Sequence, residues 1–311
     1  MPKQTGAIWA MVVATTLFWG SNFNAVHAIA TTIPTLTAAA ERFDIAVIVL
    51  LAVRLLRPGA ESALSAKDMG VLVALGLLGV FGYNYAFFAA LHTTTPLNGA
   101  LIMGLSPLVT SLFSARLLGS RITPMQLLGL GVAFGGVALV ITGGHIADIH
   151  IASGDALMSL GCVIWSLYNV LVRKYAGHIP SPQQTRWTLT AGAVAFTTAA
   201  LLHEHPLATL QRQSHTDTAI LLYIALCGTV LAYLFWLRGI ETLGPHRAAI
   251  AFNLVPVFTL LVNLTCGHLP APEQLLGMVL VVCGVLISID WRPARPTHAS
   301  KSGQHAPVML E

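Results

Sequence analysis

The chain has 311 residues, 55% of them hydrophobic and only 9% charged, with a formal net charge of +4. Soluble domains carry about 25% charged residues, so this composition excludes a soluble globular protein, and the mean hydropathy of +0.75 agrees. The positive charge is dispersed: no run of five or more basic residues offers an electrostatic footprint for nucleic acid.

Apolar runs of about 20 residues, the length that crosses a ~30 Å hydrocarbon core, recur along the whole chain. They predict ten spans, at 7–29, 36–56, 69–91, 96–118, 125–143, 152–174, 184–203, 218–240, 246–267 and 272–290. Turn-forming residues punctuate them, including Arg57-Pro58-Gly59, Thr123-Pro124, Gly143-Gly144, Gly244-Pro245 and Pro270-Ala271-Pro272. Residues 1–6 and 291–311 are polar tails, the second Pro- and Ser-bearing and expected to be disordered.

The first span holds "LFWGSNFNAVHA", with Trp19, Ser21, Asn22, Asn24 and His27 close together. Its Lys3, apolar stretch and Ala28-Ile29-Ala30 also fit a secretory signal peptide, but its removal would leave one internal repeat short of a helix. Burying a polar side chain without a partner costs about 1–3 kcal/mol. Asn22 and Asn24 lie about 200° apart on a helix, so both cannot face one cavity. Asn22 is the candidate for the pathway, with interhelical bonding the competing role.

The second span opens with Glu41, Arg42 and Asp44, which must face protein, water or one another. Glu41 and Asp44 are the candidates for proton coupling; snorkelling to the surface is the alternative. The third span follows Gly76, Gly79 and Gly82 with Tyr83, Asn84 and Tyr85, and the eighth carries Tyr233, Phe235 and Trp236. Tyr83 and Trp236 are placed to shape a pocket, or to pack in the core. Pro107 and Pro256 sit mid-span in the fourth and ninth, where proline bends a helix. Asn253 lies close to the second. Gly131 and Gly135 in the fifth form a GxxxG, expected to pack helices. Tyr168 and Asn169 in the sixth and Arg186 in the seventh complete the candidate substrate-binding set. Cys162, Cys227, Cys266 and Cys283 lie in apolar runs without CxxC spacing, and loop histidines such as His145, His150 and His205 lack ligand spacing, so neither a metal nor a cofactor is expected.

Basic residues set the direction. With a cytoplasmic N-terminus, the inner segments hold Lys3, Arg54, Arg57, Lys67, Arg116, Arg121, Arg173, Lys174, Arg238, Arg247, Arg292, Arg295 and Lys301, and the outer ones only Arg212. This positive-inside bias predicts ten spans with both termini cytoplasmic.

The chain also repeats. "TPMQLLGLGVAFGGVALVI" (123–141) aligns with "APEQLLGMVLVVCGVLISI" (271–289), Pro107 with Pro256, "AERFD" (40–44) with "QTRWT" (184–188), and "LFWGSNF" (17–23) with "VIWSLYN" (163–169). Five spans per copy invert the second copy in the membrane. The fold class is therefore an all-α membrane protein of ten transmembrane helices, built as two inverted five-helix repeats, 7–143 and 152–290, joined by an outer linker at 144–151. Such folds bind solute near the midplane and alternate access. Matched bends at Pro107 and Pro256 would line that site.

"FWGSNF", "NYAFFAALHTTTPLNGALIMGLSPLVTSLF", "TPMQLLGLGVAFGGVALV" and "QLLGMVLVVCGVLI" resemble the EamA domain of the drug/metabolite transporter superfamily, twice over. The resemblance implies ten helices, cytoplasmic termini and transport of small metabolites, often amino acids or relatives, commonly outward. The family commonly has an acidic residue just before the fifth helix of each repeat. Ser120 and His268 stand there instead.

The expected function is an alternating-access exporter of amino acids or derivatives in a bacterial inner membrane, acting as a monomer or weak homodimer; sugars, drug-like compounds or quaternary amines are the alternative cargo. Arg42 or Arg186 would meet a carboxylate, and Asn22, Asn169 and Asn253 would hydrogen-bond. HExxH, GxSxG, GxGD and GxxxxGK[ST] are all absent, which argues against an intramembrane hydrolase or an ATP-driven pump.

Overall fold

A computed structural model describes residues 2–56, 63–142, 152–243, 251 and 254–288. All regular structure among them is helical. The linker 144–151, the tail 291–311, His145, His150 and Asn253 lie outside the described residues.

A helix stands at each expected position. The first two are Pro2–Ile29 and Thr35–Leu56, the third Ala66–Ala90 and the fourth Pro96–Leu118. Then come Pro124–Thr142, Ser153–Tyr175 and Ser181–His203. The eighth runs from His215 to Leu243, and the ninth and tenth are described over Leu254–Thr265 and Pro272–Ser288. The first helix starts at Pro2, inside the segment expected to be a polar tail. A short helix, Pro206–Arg212, occupies the connection expected to be loop, its proline at a first-turn position where the missing N–H is harmless.

Sequence chemistry sets the ends. Ser65 and Asp68 form a reciprocal capping box at the third span. Thr95 caps the fourth ahead of Pro96, and Gly119 ends it in the left-handed region at φ 70. The fourth span is broken between Met103 and Ser106, just before Pro107. Within the break, the Ser106 carbonyl accepts from Ser166 Oγ at 3.1 Å.

Five helices, the third to sixth spans and His215–Trp236 in the eighth, are long and apolar enough to cross a bilayer by length and composition. Large apolar side chains point outward, with Leu55 and Leu56 each 82% exposed. In water such a surface would drive aggregation; against lipid it is neutral.

The two repeats interlock. The first span packs on the eighth and ninth, and its counterpart, the sixth, packs on the third and fourth. The second meets the seventh and the fifth meets the tenth. The last contact is made through glycine. A Cβ on Gly136 would lie 2.7 Å from the Gly277 carbonyl oxygen, and one on Gly284 would lie 2.5 Å from that of Gly129. Backbones thus touch directly, the contact that holds helices together in lipid. Gly131 and Gly135, expected to do this packing, are instead exposed with open space beside them. The 100° turn per residue carries them off the face that Gly129 and Gly136 share.

Candidate functional site

The polar residues of the first span divide into bonded and unbonded. Asn24 Nδ2 donates to the Thr259 carbonyl at 3.1 Å. His27 Nδ1 lies 2.7 Å from the Leu91 carbonyl oxygen. Ser21 Oγ and the Tyr223 hydroxyl share a bond at 2.5 Å. These three tie the span to its neighbours. Asn22 differs: it is buried, and its Oδ1 has no hydrogen-bond partner among the described residues.

Asn22 lies against the eighth span, at one of two π-helical segments. These are Gly76–Gly82 in the third span and Leu226–Leu231 in the eighth, at equivalent places in the two repeats. Polar side chains engage carbonyls around the widened turns: Asn84 Nδ2 donates to Val80 O at 2.8 Å, and Thr229 Oγ1 to Ile224 O at 3.0 Å. Isolated π turns of this kind recur at functional sites. Each presents a glycine as a seat. A Cβ on Gly228 would come within 2.2 Å of Asn22 Oδ1, and one on Gly79 within 2.2 Å of the Tyr168 ring. Asn22 and Tyr168 occupy the same position in their repeats, so the two seats are counterparts.

Between the seats lies a cavity of about 100 Å³ where the repeats cross. Trp19, Tyr83, Trp165, Tyr168 and Tyr233 supply aromatic wall, while Arg42, Asn22, Asn84 and Thr229 supply polar groups. The rings brace one another: Trp165 stands 5.1 Å from Tyr83 and 5.5 Å from Tyr168, and Trp19 5.1 Å from Trp236. Arg42 is only 7% exposed. Its Nε donates to Thr229 Oγ1 at 3.0 Å, and its guanidinium lies 5.0 Å from the Phe43 ring and 5.8 Å from that of Phe88. Among the described residues it has no carboxylate partner and no second hydrogen bond. A buried charge held this way carries an uncompensated desolvation penalty of several kcal/mol.

The structure gathers Asn22, Arg42, Tyr83, Tyr168 and Pro256 around this cavity. It places the other candidates elsewhere. Asn169 Nδ2 donates to the Trp165 carbonyl at 2.8 Å. Trp236 stands behind Trp19. Pro107 and Arg186 are not in the wall, and Asn253 is outside the described residues. Glu41 lies beside the Gln213 side chain, and Asp44 Oδ2 accepts from Thr197 Oγ1 at 2.7 Å; neither lines the cavity. Sequence reasoning missed Thr229, Asn84 and Trp165 as wall residues. Of the three, only Trp165 had a signal in the sequence, as the repeat counterpart of Trp19.

The fold and the cavity define a polytopic membrane transporter of tandem repeats, and the comparisons with known proteins agree. The chain matches the EamA-like transporter family at residues 4–142 and again at 152–289, and it belongs to that family. It is 35% identical over 282 residues to an uncharacterized transporter, YyaM, of Bacillus subtilis strain 168, covering 90% of this chain and 92% of that one. It is 26% identical over 298 residues to a probable amino-acid metabolite efflux pump of Salmonella typhimurium strain LT2, covering 93% and 96%. A solved crystal structure, 21% identical, superposes with a TM-score of 0.63 over 91% of this chain and 96% of that chain. The family and these relatives identify a transporter rather than an enzyme.

Proposed function

We propose that the protein exports amino acids or their derivatives by alternating access, with both termini in the cytoplasm and as a monomer or weak homodimer. The observation that carries this reading is the cavity where the repeats cross, with Arg42 and Asn22 at one part of its wall and aromatic rings around the rest. A guanidinium with free N–H groups suits a carboxylate, and a wall of aromatic rings suits an apolar or aromatic side chain. The reciprocal packing of the repeats supports an exchange of their conformations between outward- and inward-open states. The Salmonella relative, described as an amino-acid metabolite efflux pump, agrees in cargo and direction. The basic inner segments support the orientation.

The test is growth of expressing cells against a panel of toxic amino-acid analogues. Selective tolerance to a subset, matched by lowered intracellular content, is the expected result. Equal sensitivity across the panel, with no movement of labelled amino acids or their derivatives in liposomes, would overturn the reading. A reporter fused after Glu311 tests the orientation: it should be active only as a cytoplasmic fusion.

A further inference from the structure

The charges of the cavity wall do not balance, and that imbalance bears on the cargo's own charge. Arg42 is its one cation among the described residues, and no carboxylate joins it there. Its helix neighbours Glu41 and Asp44 lie outside the cavity wall, Asp44 bonded to Thr197 and Glu41 beside Gln213. A free amino acid brings a carboxylate and an ammonium together. The carboxylate matches the guanidinium, but the ammonium meets no counter-charge, and with Arg42 it leaves the site net positive in a poorly solvated space. A cargo with one carboxylate and a neutral nitrogen leaves the site neutral.

Asn22 points the same way. Its buried, unpartnered Oδ1 is an acceptor that one N–H satisfies. An amide N–H does so without introducing a second charge.

We propose that the preferred cargo is a monoanion: a monocarboxylate whose nitrogen is acylated, with the carboxylate on the two Nη groups of Arg42, the amide N–H on Asn22 Oδ1 and an apolar or aromatic side chain against the rings. This rests on the export reading above and narrows its substrate class to N-acyl amino acids.

Counterflow in liposomes containing the full chain separates the two ideas, because counterflow needs no energy source. The probes, used at about pH 6, are labelled N-acetylphenylalanine, phenylalanine and phenylalaninamide, respectively an anion, a zwitterion and a cation there. The expected order is N-acetylphenylalanine at least about tenfold ahead of phenylalanine, with no movement of phenylalaninamide. Phenylalanine carried equally well or better overturns this inference and leaves the export of amino acids standing. Movement of none of the three overturns this inference, and it overturns the export reading too when the analogue panel also shows equal sensitivity and no labelled amino acid moves. Arg42→Gln should abolish the preference for the anion, and Arg42→Lys, which keeps the charge without the fork, should retain part of it. Should Arg42→Gln fail to accumulate, the ranking of the three probes on the unmodified protein decides the matter alone.

Discussion

The seat in the eighth span and the seat in the third stand at equivalent places in the two repeats, each on a glycine, yet they hold different things. At Gly228 sits the amide of Asn22, short, polar and unpartnered at Oδ1. At Gly79 sits the buried ring of Tyr168, tilted against Trp165. One seat presents an unpartnered amide oxygen beside the cavity, while the other presents an aromatic ring. The difference extends to the cations. Arg42 reaches the hydroxyl of Thr229, whereas the repeat equivalent of Thr229 is Val80, whose side chain has no acceptor. The two copies share a frame, and Asn22, Arg42 and Thr229 all stand at the seat in the eighth span.

The sharpest way to break this comparison is to remove the cations in turn. Arg42→Ala should lower counterflow of the cargo by about 100-fold, within the 2–5 kcal/mol range for losing one partner of a buried charged contact. Arg186→Ala should change it less than about threefold, within the small effects of groups outside a site. Equal losses would show that the two repeats contribute alike.

Next come the seats. In Gly79→Ala the new methyl meets the near edge of a packed ring, and overpacking of this kind costs about 1–3 kcal/mol. Thermal unfolding in detergent should show that loss. Gly228→Ala meets only the end of a short side chain; it should keep its melting temperature and lose transport about tenfold, the equivalent of about 1.4 kcal/mol, as Asn22 is displaced. Reversed outcomes would interchange the roles of the two seats.

A smaller contrast lies within the first span. Asn22→Ala removes an unsatisfied buried acceptor, so stability should hold or rise while apparent affinity falls. Asn24→Ala breaks its bond to Thr259 and should lose about 0.6 kcal/mol, the average for such bonds in membranes, with transport unchanged. The smallest effect is expected of Glu41→Gln with Asp44→Asn. Counterflow should persist, since neither residue lines the cavity, while any pH dependence of gradient-driven efflux disappears. An unaltered pH profile would place coupling elsewhere.

Much of the fold was legible because lipid imposes a length and a composition on each span, so apolar runs placed the helices to within a few residues. The repeat pairing of Trp19 with Trp165 and Pro107 with Pro256 carried the symmetry that the helix packing displays. The π segments were not legible. "LLGVFG" and "LCGTVL" hold one hydroxyl, that of Thr229, among apolar residues, so no periodicity distinguishes a 3.6-residue turn from a wider one. The site was read in part. Asn22 and Arg42 stood out as polar groups inside lipid-length runs, but Arg186 was grouped with Arg42 by alignment, which equates positions and not surroundings. Thr229 gave no signal, since a lone threonine commonly bonds its own helix and reveals nothing about a partner 187 residues away in sequence.

The glycine contact between the fifth and tenth spans has a consequence for ancestry. Gly136 meets Gly277, and Gly284 meets Gly129. In the alignment, Gly277 is the counterpart of Gly129 and Gly284 that of Gly136. Each position therefore touches the counterpart of the other, which is the isologous rule of a two-fold dimer. Such a seam needs no fused chain to be complementary. A single five-helix unit able to insert in both orientations would already close it with a second copy of itself, and fusion would then free the two cavity walls to diverge while the seam stayed self-complementary.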